Sequence, residues 1–221
     1  MSHADVDPRF VTEAEYLAMS AASPVKLEWY SGVVVAMSGA RAAHLVVTSN
    51  LVVALDRALG DRPCHILPSD ARVAIPSPSG GHDAYLYADV TLVCGDLEEV
   101  GPKPGSIANP VVLFEVLSDS TERRDRVYKF DLYTTIPSVR AIVLVDPEWR
   151  RVEVFERTDT GGFALTVARH TDDRLRIGSL DLDLDLAVVF RRLEKVCPPP
   201  REPPEGKGLL FPTPDFTPRE D

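Results

Sequence analysis

The sequence predicts an α/β protein of the α+β type: a mixed β-sheet flanked by helices, with a helix and a hairpin at its N-terminal end. Three observations predict it. β-prone runs recur from Lys26 to Ala168. Apolar residues at Val47, Leu51, Leu55 and Leu59 repeat every four positions and mark one long helix. A strand, a helix and a second strand follow in order between Val111 and Asp146, which predicts a crossover over the sheet.

The elements follow in chain order. "VTEAEYLAMSA" is a short helix, with Thr12 as its cap and Glu15 completing a capping box. "KLEWYSGVVVAM" is a hairpin turning at Ser31-Gly32. The long helix spans Arg41 to Leu59 and stops at Gly60. "CHILPSDARVAIP" is a strand broken near Pro68 and resumed at Arg72. "SPSGGHDA" and "DLEEVGPKPGSIANP" are loops on either side of a single strand, "YLYADVTLVC". "VVLFEVL" is a strand, and a helix starting near Asp119 runs to about Ile136, ahead of Pro137. "VRAIVLVD" is a β-branched strand, and "RRVEVFER" with "FALTVA" forms a meander. "LDLDLDLAVVFRRL" opens as alternation, read as a solvated strand face and not a metal site, and closes as a short helix.

Residues 1–196 are expected to form one domain. From Cys197 the chain holds eight of its 19 prolines and is expected to be a disordered tail over 197–221. Of the 221 residues, 44% are hydrophobic and 26% charged, as in ordinary globular proteins. No run reads as a membrane span and no leader pattern opens the chain, so no membrane partner is expected. Three separated cysteines suggest reduced thiols in a cytoplasmic protein. The net charge of −10 excludes a broad basic nucleic-acid surface, though not a local patch.

The stretch "VVLFEVLSDSTERRDRVYKF" carries the chemistry. Glu115 interrupts an apolar strand, where an isolated carboxylate is costly unless it is paired or holds a metal. Asp89 interrupts the neighbouring apolar run in the same way. Two such acids, with water and a substrate phosphate, suit Mg²⁺, which prefers hard oxygen ligands. On the helix that follows, Asp125, Lys129, Leu132, Tyr133 and Ile136 share a face. Leu132 and Ile136 would pack on the sheet, which turns Asp125 and Lys129 inward near the end of the Glu115 strand. A lysine there can orient a water and stabilise developing negative charge.

Asp, then Glu within a strand, then Lys resembles the PD-(D/E)xK nuclease superfamily. "KLEWYSGVVVAMSGA", "LPSDARV", "YADVTLVC", "VVLFEVLSDST", "DRVYKFDLY" and "AIVLVDPEWRRVEVF" more closely resemble the bacterial Uma-type family of restriction-endonuclease-like proteins, from roughly Thr12 to Arg192. The resemblance implies a restriction-endonuclease-like core, a homodimer, and Mg²⁺- or Mn²⁺-dependent hydrolysis of phosphodiester bonds, with DNA as substrate. It implies Asp89, Glu115 and the Val116 carbonyl as metal ligands and Lys129 as the residue serving the water. Glu28 matches an early acidic position of the family, and Asp70 and His44 match weaker ones. Ala88 stands where the superfamily has proline, and Leu117 where it has lysine; Lys129 is the replacement offered for the latter. Arg41, Arg72, Arg123, Arg124 and Arg126 are the expected phosphate contacts. The alternative is a catalytically degenerate dimeric binding protein that keeps the nuclease fold.

Overall fold

The computed structural model describes residues 10–37, 39–118, 124–169 and 174–198. Helix α1 (Glu13–Ala22) begins at Thr12, whose hydroxyl accepts from the Glu15 amide while Glu15 answers the Thr12 amide, the expected capping box. Strands β1 (Leu27–Tyr30) and β2 (Val33–Ala36) form the expected hairpin. Ser31 and Gly32 both take positive φ, 48° and 85°, as a two-residue turn matched to strand twist requires. Helix α2 (Ala42–Leu59) follows.

Next come β3 (Cys64–Pro68), β4 (Arg72–Pro76), β5 (His82–Tyr87) and β6 (Val90–Cys94). Two short strands, β7 (Glu99–Val100) and β8 (Ser106–Ile107), lie within the segment expected to be a loop. Strand β9 (Val112–Val116) leads to a π-helical segment, Arg124–Lys129, that continues as α3 (Phe130–Thr134). The chain then forms β10 (Ala141–Asp146), β11 (Arg151–Arg157), β12 (Phe163–Arg169), a hairpin of β13 (Arg174–Ile177) and β14 (Leu182–Asp185), and α4 (Leu186–Val189).

Among the described residues two six-stranded sheets result, in the orders β2-β1-β5-β4-β8-β7 and β12-β11-β10-β9-β6-β3. The expected crossover is present, with β9 and β10 parallel and α3 between them. One expectation is corrected. "YLYADVTLVC" is not one strand: it breaks at Ala88-Asp89, β5 belongs to the first sheet and β6 to the second. The neighbours select this break. β5 pairs with β1 and β4, whereas β6 pairs with β3 and β9.

The layers are built by alternation along β9. Phe114 and Val116 face α2, whose Val47, Leu51 and Leu55 are buried beside them. Leu113 and Leu117 face the other way, into a core with Tyr133, Ile136 and residues of β4 and β5. Helix α1 covers the far side of the first sheet through Tyr16, packed with Trp29 and Tyr85. By length and composition α2 is, among the described residues, the one helix apolar enough to cross a membrane (mean hydropathy 1.3). Its apolar stripe is used instead on the second sheet. Along β14, Leu182 and Leu184 are buried and Asp183 and Asp185 exposed, the alternation read from the sequence.

The cysteines need a second correction. Cys64 and Cys94 are directly opposed in the β3–β6 ladder and form a disulfide; only Cys197 is a free thiol. Thirty residues of sequence separate the pair, and antiparallel register removes that distance. Residues 197 and 198 are described, and the Cys197 carbonyl accepts from Arg150 at 2.5 Å. The rest of the proline-rich tail lies outside the described residues.

Candidate active site

Five elements meet where the two sheets join. Glu28 comes from β1, and the Tyr87 backbone ends β5. Asp89 sits where the chain passes to the second sheet, and Glu115 lies on β9. Lys129 closes the π-helical segment, and Tyr133 follows on α3.

Lys129 Nζ donates to the Tyr87 carbonyl at 2.9 Å and to the Glu115 carboxylate at 3.0 and 3.2 Å. It also lies 3.3 Å from Glu28 Oε1. An ammonium has three N–H bonds, and three partners surround it. Tyr133 donates its hydroxyl to Glu115 Oε1 at 2.6 Å, and the Tyr87 amide donates to Glu28 Oε1 at 2.9 Å. Glu28, Glu115 and Lys129 are 0%, 2% and 4% exposed. Three charges are thus held out of water, compensated by one another and by backbone groups. Such burial is costly even when paired and adds little to stability over an apolar core.

Asp89 is held differently. Its Oδ2 accepts from the Val116 amide at 2.7 Å, and its own amide donates to the Phe114 carbonyl. The Asp89 carboxylate therefore lies against the backbone of the residue after Glu115. On its other side His44 Nε2 stands 3.0 Å from Asp89 Oδ1. A carboxylate only accepts, so His44 carries its proton on Nε2 in this contact.

The structure thus brings together Glu28, Glu115 and Lys129, with Asp89 and His44 beside them. The Val116 amide, rather than its carbonyl, is the group it shows in contact with Asp89. Asp70 is elsewhere: it is exposed and pairs with Lys26 at 2.7 Å. The Asp125 side chain lies outside the described residues, as do those of Arg123 and Arg124. Among the other arginines, Arg72 is a correction. It is buried, donates to Ser106, Ser20 and the Pro104 carbonyl, and lies over the rings of Tyr16 and Tyr85, so it is a structural residue. Arg126 pairs with buried Glu153 at 2.6 Å.

Sequence reasoning missed Tyr133 and the Tyr87 carbonyl. Tyr133 was on the correct helix face but reads as a packing residue. Its four-residue offset from Lys129 was the available signal, because it lets both reach Glu115.

Hard carboxylate oxygens are the donor chemistry a small divalent cation prefers, and Mg²⁺ binds through as few as one or two of them plus water. Asp89, at the break between β5 and β6, and Glu115, on β9, carry oxygens of that kind. Among the described residues no group of three His, Cys, Asp or Glu is arranged to hold a metal.

Two mixed sheets flanked by helices, with acids near the point where the chain passes between them and a buried lysine from the next helix, make a nuclease-like protein of restriction-endonuclease type. The chain belongs to the Uma2 family, described as "Putative restriction endonuclease", whose model matches residues 13–188. Two uncharacterized proteins of Synechocystis sp. are similar. One, sll1609, is 31% identical over 158 residues, covering 72% of this chain and 87% of its own. The other, slr1290, is 28% identical over 179 residues, covering 81% and 90%. A crystal structure from Anabaena variabilis, described as a putative nuclease belonging to DUF820, shares the fold with a TM-score of 0.62 at 17% identity, over 83% of this chain and 99% of that one.

Proposed function

We propose that this chain is a Mg²⁺- or Mn²⁺-dependent nuclease that hydrolyses phosphodiester bonds in DNA and works as a homodimer. The observation that carries the reading is the buried cluster of Lys129 with Glu115 and Glu28, beside Asp89 at the junction of the sheets.

Asp89 and Glu115 are the residues that would hold the cation. When bound, it supplies Lewis-acid stabilisation of the charge that develops on the phosphoryl oxygens. The remaining roles fall to the chain itself. Lys129 balances the two carboxylates and keeps a positive charge where the attacking water is oriented. Tyr133 fixes the Glu115 carboxylate by a short hydrogen bond. His44 and the Val116 amide fix Asp89 from its two sides. Burial strengthens each of these contacts, because water does not screen them.

One observation favours a second reading. The three Lys129 N–H bonds already have protein partners, so the site is closed as it stands. A degenerate binding protein that keeps the nuclease fold would look the same.

The test is calorimetric titration of Mn²⁺ and Mg²⁺ into wild type and Glu115→Gln, with plasmid nicking on the same samples. The nuclease reading expects cation binding and nicking in wild type, both lost in the variant. Cation binding without nicking, on DNA and RNA alike, would favour the degenerate protein.

A further inference from the structure

A cleft of about 230 Å³ opens beside the buried cluster. His44 forms part of its wall, and the same side chain contacts Asp89. Leu117 and Ser118, two and three residues after Glu115, form another part. The cleft therefore adjoins the candidate active site through His44 and the residues that follow β9. The rest of its wall includes Arg41, Asp146, Glu148 and Trp149.

Trp149 is 49% exposed, and its backbone is fixed. Asp146 Oδ1 accepts from the amides of Glu148 and Trp149 at 2.9 and 3.0 Å, which closes the turn after β10. Arg150, 4% exposed, bonds the Pro147 carbonyl on one side and the Cys197 carbonyl on the other. An indole half in water on a turn braced this way is presented to solvent by rigid backbone. The chain's other tryptophan, Trp29, is by contrast buried and donates its indole N–H to the Val11 carbonyl.

We propose that this cleft is a nucleobase subsite: an unpaired base of a single-stranded or locally opened strand stacks on Trp149, next to the reacting phosphodiester. The proposal rests on the nuclease reading above and names its substrate class. Charge argues for stacking over a basic groove. With a net charge of −10, the chain has little long-range attraction for a phosphate backbone. Base–aromatic stacking supplies affinity that does not depend on that attraction. The wall chemistry agrees. Glu148 and Ser118 offer acceptors to base N–H groups, and Arg41, among the described residues of this wall, is the cation suited to an adjoining phosphate. A base inside a duplex is stacked on its neighbours and cannot reach an indole without leaving the helix.

The test is tryptophan fluorescence during titration with twelve-nucleotide oligo(dT), oligo(U) and a blunt duplex of equal length, in EDTA so that nothing is cleaved. Trp29 is shielded, so quenching reports Trp149. The expected result is quenching by the single strands and not by the duplex. Measured by the anisotropy of the same oligonucleotides carrying a 5′ fluorescein, which needs no tryptophan, Trp149→Ala is expected to bind single strands at least about fivefold more weakly, the low end for one stacked base. Trp149→Phe is expected to stay within about twofold of wild type. Oligo(dT) against oligo(U) separates a DNA source of the base from an RNA source. Unchanged affinity in Trp149→Ala, or quenching by duplex alone, overturns the subsite. Plasmid nicking by wild type keeps the two readings apart: nicking with no Trp149 effect removes the subsite only, whereas Trp149-dependent binding without nicking removes the catalytic reading only.

Discussion

Lys129 Nζ stands 3.0 Å from Glu115 Oε1, and the two side chains are 5% and 2% exposed. Between them they decide whether the junction of the two sheets can stay charged in the interior. Lys129→Met removes the positive partner and leaves Glu115 and Glu28 buried with the Tyr87 carbonyl. The expected loss of stability is about 3–5 kcal/mol, as for other broken buried pairs. Lys129→Met combined with Glu115→Gln is expected to lose less than the sum of the single variants, by about 1–3 kcal/mol. Urea unfolding of the four proteins measures this directly. Strict additivity would mean that the pair is not coupled.

The helical segment bearing Lys129 is tied to the second sheet by Arg126, which donates to Glu153 on β11 at 2.6 Å. Glu153 is 2% exposed and also meets Arg151. Glu153→Gln keeps the shape and removes the charge. It is expected to cost about 2–3 kcal/mol, because two arginines lose their counter-charge. Amide exchange across residues 126–130 is expected to quicken more than the global loss of stability accounts for. A uniform change over the whole chain would show that Glu153 does not position this segment.

Much of this site was legible in the sequence, because a lone acid inside an apolar run breaks the pattern around it. Glu115 and Asp89 are visible in that way, and Lys129 follows from the helix face. Glu28 came only through resemblance: "KLEWY" gives no sign that its acid lies buried against a lysine far along the chain. The break at Ala88-Asp89 was hidden because no Gly or Pro marks it, and only partner strands from different sheets create it. His44 and Cys94 share this limit, since each is defined by a partner distant in sequence. The wider turn at Arg124–Lys129 is a smaller miss, because a 3.6-residue period does not register a single π-helical stretch.

The Cys64–Cys94 disulfide gives a simple chemical count. Purified without reductant and then unfolded in guanidinium, the chain is expected to show one reactive thiol, that of Cys197, and three after reduction. The bridge closes a loop with a sequence separation of 30, so its loss is expected to reduce stability by about 2–4 kcal/mol. Three thiols before reduction would show that the strands pair without the bond.

The docking of α1 is expected to carry an acid-sensitive part of the stability. Glu13 Oε1 accepts from the Tyr85 hydroxyl at 2.6 Å and meets His82 Nδ1 at 2.7 Å. Partial burial raises the Glu13 pKa, but the hydrogen bonds of Tyr85 and His82 and the charge of His82 outweigh it, and the carboxyl titrates below its ordinary value. Burial, together with the same contact, pushes the Tyr85 hydroxyl upward, so it remains a donor throughout. A carboxyl depressed in the folded state stabilises fully above its unfolded value, near pH 4.3, and ceases to do so as pH falls through the lower folded value. Wild type is therefore expected to exceed Glu13→Gln in urea midpoint at pH 6–7, with the gap closing as pH falls below about 4.3. Tyr85→Phe is expected to narrow the gap at neutral pH, since it removes one of the two bonds that depress Glu13. A gap that stayed constant from pH 7 to pH 3 would place the effect in packing, not in the charge of Glu13.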